Sequence, residues 1–278
     1  MKFDNDIAPY KPAADIHVVG TARAPAGLRV REWDLSLRVG AIQKVVRATG
    51  PRWWKHVVGL GWGLTVPEFT DCVPVRYEQA YGGQRQIGNE VRAFEWNPVG
   101  CGFTAGRSVS TDVMVEAPRL DAKSNPVKHL GGDVFPEGFG PCAPVWAQRR
   151  GKAGTYDDAW LRERWPLIPD DFDFAFYNSA HPDLIVPGFL KGNEEVEMIG
   201  FHDDPTRVRF MLPGLTVFVL ARFVEGAMIP APANLDTLVI DVDSNVVMLT
   251  WRARVPLEPE VRVIEARAIW PGGEVSGR

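Results

Sequence analysis

Asp170, Asp171 and Asp173, followed by His181 and Asp183, have the residue types to do chemistry. Together they could offer carboxylate oxygens and an imidazole nitrogen to a divalent cation, or an acid and a base to a hydrolase. They lie in the stretch 154-GTYDDAWLRERWPLIPDDFDFAFYNSAHPD-183, where Trp160 or Trp165 could add a stacking platform for a sugar. The spacing does not fit a calcium loop, which alternates Asp or Asn, turns at a glycine and ends in Glu. An Asp pair after Pro169 ordinarily opens a turn, its carboxylates accepting bonds from nearby backbone amides. His202-Asp203-Asp204 has the same character and the same lack of a supporting pattern.

Other chemistries find less. Gly59-Leu60-Gly61-Trp62-Gly63 and Gly100-Cys101-Gly102-Phe103 are glycine-rich but lack the Lys-Ser/Thr and the helix of a phosphate loop. They read as strand-end turns. No Gly-x-Ser-x-Gly elbow occurs, and His17, His56 and His129 stand alone. Cys72, Cys101 and Cys142 are too widely spaced for a zinc site or a disulfide framework, and read as buried reduced thiols. Gln148-Arg149-Arg150-Gly151-Lys152 is too short for a nucleic-acid patch. No catalytic residue, metal or cofactor is expected.

The elements that would position these residues are mostly strands. The 23 prolines and 27 glycines are scattered through all 278 residues, which suits many short strands joined by tight turns. In Glu32 to Val39, Trp33, Leu35, Leu37 and Val39 alternate with Glu32, Asp34, Ser36 and Arg38, the mark of a sheet with one wet face. Gly40-Ala41 is a two-residue turn and Ile42 to Ala48 the returning strand. Further strands are expected at Asp15 to Arg23, Lys55 to Gly59, Val73 to Tyr77, Leu215 to Phe223, Thr237 to Val242 and Val246 to Val255. Arg262 to Trp270 should be a last, partly exposed edge strand.

Residues 104–137 carry little periodicity and are expected to form a long surface excursion. The one convincing helix runs from Thr155 or Tyr156 to Trp165, within 153–166, with Thr155 as N-cap and Pro166 as stop. Its stripe Tyr156, Trp160, Leu161 and Trp165 should pack on the sheet. The reading is a single large, mainly β domain over 1–278, an antiparallel β-sandwich or barrel-like set of sheets with long loops and one or two short helices.

Bulk properties exclude several functions. With a net charge of −4 and a pI near 5.8, no global basic field recruits nucleic acid or anionic lipid. The N-terminus lacks a signal-peptide pattern and no apolar run approaches membrane-spanning length, so a cytoplasmic protein is expected. What stands out is ten tryptophans, several in loop-like segments. Trp53, Trp54, Trp62, Trp96 and Trp146, with Arg149 and Arg150, are candidates for a protein-binding surface, because Trp and Arg dominate interface hot spots.

A string of motifs adds a family. In order they are Lys11-Pro12-Ala13-Ala14-Asp15, Trp33-Asp34-Leu35-Ser36-Leu37-Arg38-Val39-Gly40, Tyr77-Glu78-Gln79-Ala80-Tyr81-Gly82-Gly83 and Asn97-Pro98-Val99-Gly100-Cys101-Gly102-Phe103. Gly138-Phe139-Gly140-Pro141, Ala153-Gly154-Thr155-Tyr156, Leu167-Ile168-Pro169-Asp170-Asp171-Phe172-Asp173 and Gly192-Asn193-Glu194 follow. Over about residues 8 to 220 this resembles the bacterial domain-of-unknown-function family encoded beside VgrG and PAAR-repeat genes in type VI secretion clusters. The resemblance implies an adaptor or chaperone that binds a toxic effector and helps load it onto the PAAR/VgrG spike. It assigns no role to any single residue. The alternative is a β-rich hydrolase or carbohydrate-binding module using the acids around Asp170 to Asp183.

Overall fold

The computed structural model describes residues 7–132, 134–255, 258 and 260–272. The chain is mainly β, in several mostly antiparallel sheets, with two short α-helices at Ala147–Arg150 and Asp158–Glu163. No sheet among the described residues closes into a barrel.

The alternation in Glu32–Val39 decides where the core sits. Trp33, Leu35, Leu37 and Val39 are buried, and the residues between them are not. Gly40 takes φ 55° and turns the chain into Ile42–Thr49, so that Val39 faces Ile42 and Glu32 faces Thr49. Glu195–Ile199 joins the other side of Glu32–Val39 and Arg207–Met211 lies beyond it. Leu120–Ala122 completes the opposite edge of a five-stranded antiparallel sheet. Each fully buried Leu or Val contributes about 1.5–3 kcal/mol of apolar burial.

A second sheet packs its side chains into the same core. Ala14–Val19 is buried at every position, which fits a central strand covered on both faces. It runs parallel to Asn234–Asp241, from Asp15 opposite Thr237 to Val19 opposite Asp241, and so ties the two ends of the chain into one sheet. Val246–Arg252 and the two-residue strand Ile185–Val186 complete it. Ile16, Val18, Leu238 and Ile240 from this sheet share one apolar cluster with Leu35, Val46 and Met198 from the first. Phe139 and Phe201 join it, in edge-to-face contact at 5.2 Å.

Three expectations change. The single strand expected over Asp15–Arg23 is two strands. Gly20 takes φ 114°, with no room for a Cβ against Val242, and Thr21–Arg23 leaves to pair with Cys72–Pro74. Among the described residues of 104–137 the only strands are the short Val115–Glu116 and Leu120–Ala122, yet Ala117, Leu120, Asp121 and Val127 are buried. The middle of that segment is threaded inward, because it covers a satellite core around Trp54 and Tyr81. The helix is shorter than expected. It spans Asp158–Glu163 and is capped by Asp157, whose carboxylate accepts the Trp160 N–H at 2.8 Å; Thr155 bonds elsewhere.

A third, antiparallel sheet of Met228–Pro232, Thr216–Phe223 and Val261–Ile269 stands near the C-terminus. No described helix is long and apolar enough to cross a membrane.

Candidate functional site

The acids of 154–183 do not converge. Asp170 is exposed and pairs with Arg164 at 3.0 Å. The Asp171 carboxylate accepts the Thr155 backbone N–H at 2.9 Å and the Thr155 hydroxyl at 2.7 Å, and these bonds hold it below the usual carboxylate range. Asp173 accepts the Ala175 N–H at 2.8 Å and caps the 3-10 turn Phe174–Tyr177. Only His181 and Asp183 meet, and they meet partners the sequence did not suggest.

Those partners are Lys44 and Glu137. Donor atoms of Glu137, His181 and Asp183 all lie within 4.8 Å of one another, a spacing that could hold a metal ion. The Lys44 ammonium already serves that trio. Its Nζ contacts the Glu137 carboxylate, stands 3.2 Å from each ring nitrogen of His181 and 3.4 Å from Asp183. The Lys44 side chain is 2 % exposed. Burial, and then the Lys44 charge, push His181 down to about 3, with Asp183 pulling weakly the other way. The imidazole is therefore neutral, and its Nδ1 accepts the Asp183 N–H at 3.1 Å. The Lys44 ammonium, lying among two carboxylates and a neutral imidazole, already places one positive charge at the point these donor atoms share.

The residues just before His181 do a second structural job. Asp15, fully buried, accepts bonds from Lys11 Nζ at 3.0 Å, Asn178 Nδ2 at 3.1 Å and the Ser179 N–H at 3.1 Å. Lys11 also donates to Thr237 at 2.8 Å, so the N-terminal segment, residues 178–179 and the strand Asn234–Asp241 are fastened at one point. Elsewhere Asn97 donates to the carbonyls of Tyr77 at 2.8 Å and Tyr81 at 2.9 Å, and a Cβ on Gly82 would fall 2.1 Å from the Asn97 carbonyl. These motifs are joints of the scaffold.

The cysteines carry no thiolate. Burial pushes Cys101 and Cys142 up to about 12 and raises Cys72.

Residues 155–170 are different in kind. The Thr155–Asp171 bonds, and the Asp173 N–H to the Lys152 carbonyl at 3.1 Å, pinch the chain into a compact loop with close ends. Inside it, Trp160 Nε1 donates to the Leu167 carbonyl at 2.8 Å and Arg164 to the Ile168 carbonyl at 3.2 Å. Tyr156 and Trp160 meet edge to face at 4.8 Å. The apolar stripe does not pack on the sheet. Of its residues Trp160 is half-buried, but Tyr156 is 55 % exposed, Leu161 58 % and Trp165 65 %, and Leu167 beyond them is 59 % exposed. A six-residue helix has no stability of its own, so polar bonds at the neck and within the loop hold this shape in water. Exposed apolar side chains on a preformed loop are what a binding surface needs.

The seven residues proposed from the sequence divide. Trp54, Trp146 and Arg149 are buried. Trp54 packs on Tyr81, Trp146 meets Tyr77 edge to face at 5.1 Å, and Arg149 donates to the carbonyls of Phe176 and Cys142. Their side chains offer no surface, a correction that follows from the place of the two tryptophans in satellite cores and of Arg149 among backbone carbonyls. Trp53 and Trp62 are half-buried, Trp62 against His56 at 5.6 Å. Trp96 is exposed and stacks on Phe135, whose ring in turn meets His181 at 5.1 Å. Arg150 is exposed and pairs with Glu95 at 2.6 Å. The sequence reading missed the exposure of Leu161, Trp165 and Leu167, because periodicity reports which residues share a face and not what lies over it.

Comparisons with curated proteins and with solved structures return no match. A family model described as "Uncharacterized protein conserved in bacteria" (DUF2169) matches residues 1–252, nearly the whole chain and every motif quoted above. The chain belongs to this bacterial family.

Proposed function

We propose that this chain is an adaptor that captures a protein partner through the 155–170 loop, with no chemistry of its own. Following the resemblance of its motifs, the partner is a toxic effector, which the adaptor helps to seat on the PAAR-repeat protein and VgrG of a type VI secretion spike. Loading of this kind takes place in the bacterial cytoplasm, before export.

One observation carries the reading. The loop holds Tyr156, Leu161, Trp165 and Leu167 in water on a scaffold that polar bonds fix in advance. Preformed aromatic and aliphatic anchors lose little entropy on docking, and such residues concentrate binding energy. The dispersal of Asp170, Asp171 and Asp173 onto local caps and an ion pair adds support, since a hydrolase would need them together.

Co-expression with the effector and PAAR-repeat protein encoded beside this chain tests it. The wild-type chain is expected to co-purify with the effector. Leu161→Ala combined with Trp165→Ala should weaken capture about a thousandfold, at about 2 kcal/mol per anchor. Absence of co-purification, with effector stability unchanged when the chain is removed, overturns the proposal.

A further inference from the structure

The sheet of Met228–Pro232, Thr216–Phe223 and Val261–Ile269 ends in two unlike edges. Met228–Pro232 carries Pro230 and Pro232, which lack the N–H that a further strand would use. Val261–Ile269 contains no proline, and among the described residues its only strand partner is Thr216–Phe223. Ile264 on it is 58 % exposed. A long edge strand without proline is a template for another strand, and its charges decide which strand can pair with it.

We propose that this edge pairs antiparallel with the same edge of a second copy of the chain, in the register centred on Ala266. The sequence of the strand selects both occupant and register. In a two-fold antiparallel pair, residues equally far from the centre stand opposite one another. Glu265 is paired in its own chain with Arg222 at 3.0 Å and Arg267 at 2.7 Å; centred on Ala266, it also faces Arg267 of the partner subunit, and the reciprocal contact forms at the same time, making one network across the edge. Ile264 then stands opposite a small alanine, Ala268 of the partner subunit. Centring on Glu265 or on Arg267 sets like charges against each other. Centring on Ile264 sets each Glu265 against Val263. Of these four centres, Ala266 alone matches unlike charges.

The faces agree with the charges. Ala221 pairs with both Ile229 and Ile264, so these three share one face of the sheet. Joining the edges extends that apolar face from Ile229 across Ala221 and Ile264 to Ala268 of the partner subunit. The pairing uses no residue of the 155–170 loop, so it stands or falls apart from effector capture.

Sedimentation equilibrium of the full chain is expected to show a concentration-dependent monomer–dimer equilibrium. Glu265→Lys and Arg267→Glu should each weaken self-association about tenfold, because each sets two like-charged pairs across the edge. An equimolar mixture of the two variants should recover it as a heterodimer, since the introduced lysine of one faces the introduced glutamate of the other. Ala266→Cys should cross-link to itself under mild oxidation, because directly opposed residues lie about 4.5–5.5 Å apart at Cα, within disulfide reach. Ile264→Cys should not. A wild-type chain that stays monomeric at every concentration overturns the proposal. So does a mixture that fails to associate, or a cross-link through Ile264→Cys in place of Ala266→Cys.

Discussion

Residues 154–183 hold two regions built on opposite principles. Around His181 and Asp183 the chain buries charge and satisfies it within itself, with Lys44 serving Glu137, His181 and Asp183 together. Between Thr155 and Asp171 it exposes apolar surface and satisfies only its polar groups, leaving Leu161 and Trp165 in water. Lys44 and His181 are buried and Glu137 is half-buried, all three paired with one another, with Asp183 at the exposed rim. The contribution of this cluster is to fix where residues 178–184 lie against the sheets. An exposed aromatic loop contributes little to folding, and its apolar surface is unsettled until something covers it. The titratable groups of 178–183 therefore belong to the scaffold, while the exposed hydrocarbon of the loop is what the proposed capture would use.

That contrast breaks most sharply at Lys44. Lys44→Met leaves Glu137 beside a neutral imidazole with its cation gone. The loss should be about 3–5 kcal/mol of unfolding free energy, read from urea denaturation. Adding Glu137→Gln to the same chain should recover part of it, because the stranded charge is then removed as well. If Lys44→Met is as stable as wild type, the cluster is not the fastening described above.

The next effect is a pH dependence. His181 sits at about 3 in the folded chain and near 6.5 unfolded, so the unfolded chain binds the extra proton between those values. Stability from this group is fully present above pH 6.5 and falls as pH drops toward 3, by up to about 1.4 kcal/mol per pH unit. Protonation would also take away the Nδ1 acceptor of the Asp183 N–H. His181→Asn should flatten the stability profile in that window relative to wild type. Equal slopes in the two chains would mean that His181 is not held neutral.

The sequence foreshadowed these two regions unequally. The hairpin Glu32–Val39 with Ile42–Thr49 was legible because strict alternation and a glycine turn are local signals. A local signal for the cluster existed too. Lys44 shares the inward parity of Val46 and Ala48, and a lysine on a buried face demands a counter-charge. Its partners Glu137 and His181 lie 93 and 137 positions away, and no short-range pattern joins them. The parallel pairing of Ala14–Val19 with Asn234–Asp241 was hidden for the same reason. The loop failed differently. Its stripe was expected on the sheet, yet the helix ends at Glu163, short of Trp165, and Tyr156, Leu161 and Trp165 are exposed, because covering is a property of the rest of the chain. Trp54 and Trp146 erred the other way, since loop-like sequence around a tryptophan does not keep it out of a satellite core.

The loop should answer perturbation with small changes in stability. Leu161→Ala and Trp165→Ala together are expected to shift the unfolding free energy by no more than about 0.5 kcal/mol, the ordinary range for exposed positions, while removing the apolar anchors. A larger loss would mean that the stripe packs on the body of the protein, and would erase the contrast with Lys44.

The smallest and most local effect belongs to the neck. Asp171 receives both the backbone N–H and the hydroxyl of Thr155, and no other single residue joins the two ends of the loop so directly. Asp171→Ala removes both bonds without touching either sheet. Hydrogen exchange at residues 155–168 should quicken, while amides of Glu32–Val39 and Asn234–Asp241 keep their protection and the melting temperature stays where it was. Effector capture by this variant should weaken although every apolar anchor is still present, because the partner must then order the loop itself. Unchanged exchange in the loop would show that its inner bonds, Trp160 to Leu167 and Arg164 to Ile168, suffice to hold it. The presentation of Trp165 would then belong to the helix and its exit turn, with the neck as a bystander.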